Sequence, residues 1–339
     1  MQPLITIGIA SYNYAVHMKK ALQEIKKQRF KDYEIIVSDD CSTDDSVSVV
    51  KAFMKANPKL NIRLLENRKN EGIIANKNKI IENCKGKYLM LCDADDWMGN
   101  ACLEKIADVI YKEEPDRVLV EVAHIDENGK VIQIEHLVEN QTRWGWNIFH
   151  GSVFKVEILR KYGIKIQGPL DDLYFTIEFA KYGKRVSFIR EVLYYWNVHL
   201  DSAGRKAPLR IEYQELCEPF LYIGRVIRFL EKRHDRDYKK DREEVRLVAL
   251  KLYYFRILFN GQNVSLKEKI KLYKTLQKTM AEVDKNYLKN DYLSTKSDCP
   301  LRPYAMNIIK LCAGLERLHL MPFALMGYHI AAKFKYFDQ

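Results

Sequence analysis

The first 100 residues alternate between strand-like and helix-like segments, and this alternation limits the fold more than any other feature of the chain. Apolar, β-branched runs such as Leu4–Ala10 and Tyr33–Val37 are typical of buried strands, and segments with apolar residues at helical spacing separate them. Strands that alternate with helices of this length predict a parallel sheet covered by helices. We therefore expect an α/β domain with a Rossmann-like, mainly parallel sheet and helices on both faces.

Polar residues follow three of the predicted strands at their carboxyl ends. Ser11-Tyr12-Asn13 follows the first strand, Ser38-Asp39-Asp40 the second, and Asp93-Ala94-Asp95-Asp96 the fourth, which spans Lys87–Cys92. Parallel α/β sheets bind their ligands at the carboxyl ends of the strands. The three clusters are therefore expected to meet at one edge of the sheet and to form a binding site there.

The acidic run at residues 93–96 places three carboxylates at the end of an apolar strand. Their mutual repulsion and desolvation must be offset, and a hard divalent cation with oxygen ligands does this while also holding phosphates. Alternate residues of an extended segment share a side, so Asp93 and Asp95 are expected to face the same way. One of them can then contact the sugar of a nucleotide and the other the metal. The run predicts an enzyme that handles a nucleotide diphosphate through a metal.

Two other segments of this region allow either a binding or a structural role. The carboxylates of Asp39 and Asp40 can accept hydrogen bonds from a base or a ribose, or they can shape a turn while Asp44 caps a helix. Gly72 leads into a helix, and Lys77 one turn later can reach a phosphate or extend into solvent. The residues alone leave both alternatives open.

Two motifs beyond residue 150 are equally ambiguous by themselves. Asp171 and Asp172 begin an amphipathic helix, either as a cap and a first-turn acid or as a general base whose pKa is raised in an acidic cleft. His199 follows a predicted strand and can bind a metal or a diphosphate, with Trp196 lining a sugar site. A lone histidine is more often a structural residue.

Taken in order, these motifs resemble those of the family 2 glycosyltransferases with the GT-A fold. The resemblance covers about residues 3–204 and implies an inverting transfer from a nucleotide-diphospho sugar, with UDP as the expected nucleotide and Mn²⁺ or Mg²⁺ as the cofactor. The implied acceptor is a saccharide or a lipid-linked saccharide of a bacterial surface polysaccharide or glycolipid. The segments that carry the resemblance are Thr6–Asn13, Val37–Asp44, Asn70–Asn78, Tyr88–Asp96 and Leu170–Phe175.

The resemblance also implies a role for individual residues. Asp172 would be the general base and Asp95 and His199 would bind the metal. Three positions depart from the usual family pattern: Cys41 replaces a glycine, Lys77 an arginine, and Asp171 a glutamate, so the base can be either member of the Asp171-Asp172 pair. The residues expected to bind the nucleotide sugar are Ala10, Tyr12, Asn13, Asp39, Asp40, Lys77, Asp93, Ala94, Trp196, Ser202 and Arg205.

The net charge of +11 comes entirely from the last part of the chain. Up to Gly204 there are 29 basic and 29 acidic residues, and after it there are 27 basic and 16 acidic ones. We expect a catalytic domain over 1–204, with the nucleotide sugar bound by 1–100 and the acceptor by 101–204, and a basic helical region over 205–339. That region can position the acceptor, form a homo-oligomer or contact an anionic membrane through an amphipathic segment at 322–337.

Other function classes fit the sequence less well. The seven cysteines are scattered without a CxxC pair, and no apolar run reaches 18 residues. This favours a cytoplasmic protein, in solution or at the inner face of the cytoplasmic membrane.

A nucleotidyltransferase would need a glycine-rich basic loop after the first strand, and residues 11–16 contain neither glycine nor a basic residue. A nucleic-acid-binding protein is disfavoured because acidic residues interrupt the basic ones, and no nucleic acid is expected. A non-catalytic nucleotide-binding protein of the same fold stays an alternative.

Overall fold

The computed structural model describes residues 2–126, 128–137, 149–167, 171–198, 213–232, 238–259, 265–294, 301 and 303–327. They belong to two compact units, of which the first ends, within these ranges, at Val198 and the second begins at Tyr213. The predicted domain boundary at 204/205 lies outside the described residues and stays a prediction.

The first unit alternates strands and helices in the way the sequence predicts. Its strands are β1 Ile5–Ser11, β2 Tyr33–Asp39, β3 Ile62–Glu66, β4 Tyr88–Asp93, β5 Trp97–Met98, β6 Arg117–Ile125, β7 Val131–Glu135, β8 Val153–Lys155 and β9 Val186–Asn197. Its helices are α1 Ala15–Lys27, α2 Ser46–Ala56, α3 Ile73–Asn83, α4 Cys102–Glu113, α5 Val156–Lys161 and α6 Asp171–Ala180.

All nine strands join one sheet, with the order β3-β2-β1-β4-β8-β6-β9-β5 and with β7 paired to β6. The first four strands are mutually parallel, which confirms the predicted Rossmann-like half. β8 then runs antiparallel to both β4 and β6. The short β8 thus connects the parallel half to a second half built from β6 and β9.

Apolar side chains cover both faces of the sheet, as the continuous apolar strands require. On one face Ile5, Ile7 and Ile9 pack with residues of α1, α2 and α4. On the other face, side chains of β2 and β4 pack with residues of α3, α5 and α6. Helix α3 lies so close that a Cβ on Gly8 would approach Ile80 Cγ2 to 2.3 Å. The predicted helices on both faces are confirmed.

Three features outside the parallel half complete the description of the chain. β9 is one long strand that stays paired with β6 through register shifts at Glu121. The helix that begins at Pro303 ends at Arg317, and His319 has a φ of 57° in the left-handed region. β6 and β7 pair with each other as an antiparallel hairpin.

The described part of the second unit is helical. Its helices are α7 Tyr213–Glu231, α8 Tyr238–Phe259, α9 Leu266–Val283, α10 Asp291–Ser294 and α11 Pro303–Arg317. None of the helices in the described ranges combines the length and the apolar composition needed to cross a bilayer.

Candidate active site

The strand register brings the predicted polar clusters to one edge of the sheet. Ala10 pairs with Ser38 on one side and with Asp93 on the other, and Ser11 pairs with Asp39. The carboxyl ends of β1, β2 and β4 therefore lie side by side, which confirms the shared edge. Ala10 is buried at its centre, while Tyr12 just beyond β1 is 42% exposed.

The turns after β1 and β2 are joined by side-chain hydrogen bonds. The Asn13 amide donates to Ser42 Oγ at 2.9 Å, and the Thr43 amide donates to Asn13 Oδ1 at 2.8 Å. Asp39 Oδ2 accepts from the Ser42 amide at 2.8 Å. Asn13 and Cys41 have φ values of 59° and 63°, so both turns pass through the left-handed region. Asp39 and Asn13 thus shape these turns with their side chains.

Asp40 has an equally clear structural task. It is 1% exposed, and its carboxylate accepts hydrogen bonds from Asn67 Nδ2 at 2.7 Å and from the amides of Glu71 and Gly72 at 2.9 and 2.8 Å. These bonds fix the turn that leads into α3. Direct contact of Asp39 or Asp40 with a nucleotide base stays a prediction.

Lys77 is buried beside the acidic run. It is 5% exposed, and its Nζ lies 3.7 Å from Asp93 Oδ1 and 4.9 Å from the centre of the Phe149 ring. Burial would raise the pKa of the Asp93 carboxyl, but the charges of Lys77 and His150 outweigh it and hold that pKa below its ordinary value. The alternative of a lysine extending into solvent is therefore wrong.

Asp96 connects the acidic run to β9. It accepts a hydrogen bond from the Tyr194 hydroxyl at 2.7 Å and another from the Asn197 amide at 2.9 Å. Burial, together with the nearby charges of Asp93 and Asp95, raises the pKa of this carboxyl well above its ordinary value. Asp96 does not cap the following helix, because α4 begins only at Cys102.

His150 completes the cluster and was missed by the sequence analysis. Its Nδ1 lies 3.8 Å from Asp93 Oδ2 and 3.8 Å from Asp96 Oδ2. Its ring stacks on Trp196, with centroids 4.7 Å apart and planes at 23°. The register explains its place: Met90 of β4 pairs with Val153 of the antiparallel β8, so the residue three positions before Val153 comes next to the end of β4. No local motif signals that pairing.

Three of these side chains have the chemistry of a metal site. Ligand atoms of Asp93, Asp96 and His150 all lie within 4.8 Å of one another. Two carboxylates and an imidazole fit a divalent cation, and the imidazole favours Mn²⁺ over Mg²⁺. This group differs from the predicted pair of Asp95 and His199. Asp95 is 8% exposed in the same loop, and its role as a ligand stays a prediction.

The other predicted site residues are placed only in part. Ala94 is 2% exposed. The Trp196 ring contacts His124 at 4.6 Å as well as His150, so two histidines already engage the surface expected to line a sugar site. Asp171 and Asp172 begin α6, and their side chains lie outside the described residues, as do His199, Ser202 and Arg205.

Several known proteins resemble this chain in sequence. Residues 6–168 match the model of the family "Glycosyl transferase family 2". "Putative glycosyltransferase EpsH" of Bacillus subtilis strain 168 is 24% identical over 220 residues, which cover 59% of this chain and 62% of that protein. "GalNAc(5)-diNAcBac-PP-undecaprenol beta-1,3-glucosyltransferase" of Campylobacter jejuni is 35% identical over 104 residues, 31% of this chain and 33% of that protein. The chain thus spans less than two thirds of either relative.

Solved structures extend the likeness along most of the chain. S. aureus TarS 1–349 in complex with UDP-GlcNAc matches with a TM-score of 0.71 at 16% identity, covering 93% of this chain and 92% of that one. The mannosyltransferase PcManGT from Pyrobaculum calidifontis, in complex with GDP-Man and Mn²⁺, matches with a TM-score of 0.55 at 19% identity, covering 99% and 87%. At such identities the matches establish the GT-A fold.

Proposed function

Residues 6–168 belong to glycosyl transferase family 2, and on that premise we propose that the chain is an inverting glycosyltransferase. The donor is a nucleotide-diphospho sugar, with UDP as the nucleotide, and the acceptor is a saccharide or a lipid-linked saccharide of the bacterial cell envelope. The observation that carries the proposal is the edge where β1, β2 and β4 end. There a buried lysine lies 3.7 Å from an acidic cluster that can hold a cation.

The charges at this edge suit a diphosphate. Lys77 supplies a fixed positive charge close to Asp93, and a cationic side chain in a desolvated site interacts strongly with phosphate oxygens. Asp93, Asp96 and His150 would hold Mn²⁺ or Mg²⁺, with Asp95 of the same loop as a further carboxylate. When bound, that cation would supply positive charge against the charge that develops on the departing diphosphate.

The reaction needs a base on the acceptor side. In our proposal the Asp172 carboxylate takes the proton of the acceptor hydroxyl while the oxygen of that hydroxyl forms a bond to the anomeric carbon. The bond from that carbon to the diphosphate oxygen breaks in the same step, which inverts the configuration. Asp171 is the alternative base because it directly precedes Asp172 at the start of α6. Arg205 and Ser202 would then contact the diphosphate.

We place the enzyme in the cytoplasm, where nucleotide sugars are the expected donors. A lipid-linked acceptor would bring it to the inner face of the membrane. Two relatives support this setting by name, since one uses an undecaprenol-linked substrate and another, S. aureus TarS, is a poly(ribitol-phosphate) β-N-acetylglucosaminyltransferase. TarS is also the protein whose fold in complex with UDP-GlcNAc matches this chain.

A panel of nucleotide sugars tests the proposal directly. The protein is incubated with each UDP-, GDP- and dTDP-sugar in the presence of Mn²⁺, and the released nucleoside diphosphate is measured. Slow, donor-specific release of UDP without an acceptor is the expected result. Release of pyrophosphate from a sugar phosphate and UTP would instead identify a nucleotidyltransferase. Binding of UDP without any donor cleavage, with or without candidate acceptors, would indicate a non-catalytic protein.

A further inference from the structure

Helix α11 carries a row of exposed apolar side chains that the packing of the second unit does not use. Tyr304, Leu311 and Leu318 are 57%, 64% and 68% exposed, and they recur every seven residues, which is two helical turns. Leu318 directly follows the last residue of the helix. Phe323, 64% exposed, and Met326, 42% exposed, follow in the next segment. We call Tyr304, Leu311, Leu318, Phe323 and Met326 the outer stripe.

The charged residues in the sequence that contains the outer stripe are nearly all basic. From residue 301 to 337 the chain has five basic residues, Arg302, Lys310, Arg317, Lys333 and Lys335, and one acidic residue, Glu316. Lys310 and Arg317 are also seven residues apart, so they follow the stripe along one of its sides. The exposed residues of α11 itself include no carboxylate.

The single acid of this stretch is withdrawn from the surface. Glu316 is 2% exposed and accepts hydrogen bonds from Tyr254 at 2.8 Å, Tyr253 at 3.1 Å and Gln277 at 3.1 Å, as well as from Tyr287. Burial, together with the charge of Glu316, raises the pKa of the Tyr254 hydroxyl. The opposite face of α11 is thereby anchored in the helical unit, and the exposed residues of this helix include apolar side chains and Arg317 but no carboxylate.

We propose that the outer stripe docks the protein onto an anionic membrane surface. Apolar and aromatic side chains flanked by lysine and arginine are the combination that inserts into a lipid interface and attracts acidic headgroups. A second copy of the chain fits less well, because a symmetric contact would bring the cations Lys310 and Arg317 near their own equivalents. This inference deepens the proposed function and rests on it for one point, the lipid-linked acceptor that the membrane would present.

The proposal relocates the membrane contact expected from the sequence. That expectation centred on an amphipathic helix at 322–337, of which residues 328–337 lie outside the described ranges. The described part of the molecule instead places the exposed apolar surface from Tyr304 onward, and so well before residue 322. In sequence, residues 328–337 add two more lysines, Lys333 and Lys335.

Vesicle flotation of the full chain tests the proposal. Wild-type protein is mixed with phosphatidylcholine vesicles that contain either no acidic lipid or about one third phosphatidylglycerol, and the floated fraction is measured. The double variant Leu311→Glu/Leu318→Glu is compared with Leu221→Glu, which alters an exposed apolar residue of the same unit, 44% exposed on α7. We expect wild type and Leu221→Glu to float with acidic vesicles only, and the double variant to lose at least tenfold in floated fraction.

Two controls separate the outcomes. Circular dichroism of each variant verifies that the helical unit is folded, and the milder pair Leu311→Ser/Leu318→Ser replaces the glutamates if it is not. Release of UDP from the donor in solution should be the same in all variants. This measurement tests the proposed glycosyltransferase activity, whereas flotation tests only the membrane contact. Equal flotation of wild type and double variant, or none for wild type, overturns the proposal. A stripe-dependent dimer in light scattering, without lipid binding, would assign the surface to a second copy.

Discussion

The Nζ of Lys77 lies 3.7 Å from Oδ1 of Asp93, and this pair links the first half of α3 to the end of β4. We propose that a nucleotide diphosphate meets the sheet at this pair, whereas a lysine that only neutralised the half-buried Asp93 carboxylate would have the same geometry. The two roles differ in what removal of the charge does to ligand binding. The affinity for UDP after substitution of this lysine or its neighbours therefore distinguishes the two roles.

Lys77→Gln should weaken UDP binding by ten- to hundredfold, because a charge-assisted contact to phosphate contributes about 1.5–3 kcal/mol. Lys77→Arg should retain most of the affinity, since it keeps the charge and can form a bidentate contact. Isothermal titration calorimetry with UDP measures both. Lys105→Gln is the matched control, because Lys105 of α4 is a partly exposed lysine that pairs with Glu191 of β9. Equal affinity of Lys77→Gln and Lys105→Gln would limit Lys77 to a structural role.

His150→Phe should lower the affinity for Mn²⁺ by at least tenfold while preserving the fold. Phenylalanine keeps a flat ring to stack on Trp196, which His150 contacts at 4.7 Å, but it lacks the nitrogen that faces Asp93 and Asp96. Electron paramagnetic resonance of free Mn²⁺ during titration measures binding without any turnover. His136→Phe is the control, because its side chain is 64% exposed and pairs with Glu121 instead. An unchanged Mn²⁺ affinity would remove His150 from the metal site.

Asp172→Asn should bind UDP normally and lose turnover by about 10²–10⁴-fold, the usual contribution of a positioned general base. Asp171→Asn is the necessary comparison, because both residues begin α6 and either can be the base. The rates of sugar transfer and the affinities for UDP are measured for both variants. A selective loss in Asp171→Asn would exchange the two roles. Near-normal transfer in both would refute an aspartate base at this position.

Glu34→Gln should lower the free energy of unfolding by about 1.5–3 kcal/mol near neutral pH. The Glu34 side chain is fully buried and accepts hydrogen bonds from Thr6 at 2.7 Å, Arg63 at 2.9 Å and the amide of Lys85 at 2.5 Å. Burial would raise its pKa, but these bonds and the charge of Arg63 lower it below the ordinary value of 4.5. Urea unfolding of wild type and variant, repeated from pH 7 to pH 3, measures the difference.

The pH dependence of that difference has a definite sign. Since the pKa of Glu34 is lower in the folded protein than in the unfolded chain, its stabilisation is complete above about pH 4.5 and is lost as the pH falls through the folded value. The gap between wild type and Glu34→Gln should therefore shrink in acid. Glu82→Gln, at an exposed pair with Lys165, should change stability by less than about 0.5 kcal/mol. A gap that widens in acid would contradict the assignment.

The sequence predicts the parallel half of the sheet well because each of its strands carries its own signal. Apolar runs of the right length, each followed by a polar cluster, place Ser11, Asp39 and Asp93 at one edge without knowledge of any long-range contact. Cys41 shows the same local logic: the glycine usual at its position in the family matches the left-handed φ of 63° observed here.

The rest of the site depends on pairings that no local pattern specifies. His150 reaches Asp93 only because the three-residue β8 pairs antiparallel with β4, and a strand of that length leaves almost no periodicity to detect. Asp96 acquires its role from Tyr194 and Asn197, which lie about a hundred positions further along the chain. Similarly, the burial of Glu316 among three tyrosines could not be inferred from α11 alone, although it determines which face of that helix is outward.

The central claim is that the edge formed by β1, β2 and β4 binds a nucleoside diphosphate together with a divalent cation. Calorimetric titration of the full chain with UDP, in excess Mn²⁺ and again after chelation with EDTA, tests it most directly. We predict that UDP binds measurably in Mn²⁺ and that its affinity falls at least tenfold in EDTA. The Asp93→Asn variant should also bind UDP more weakly than wild type in Mn²⁺. No binding of UDP, or an affinity indifferent to both Mn²⁺ and Asp93, would contradict the account.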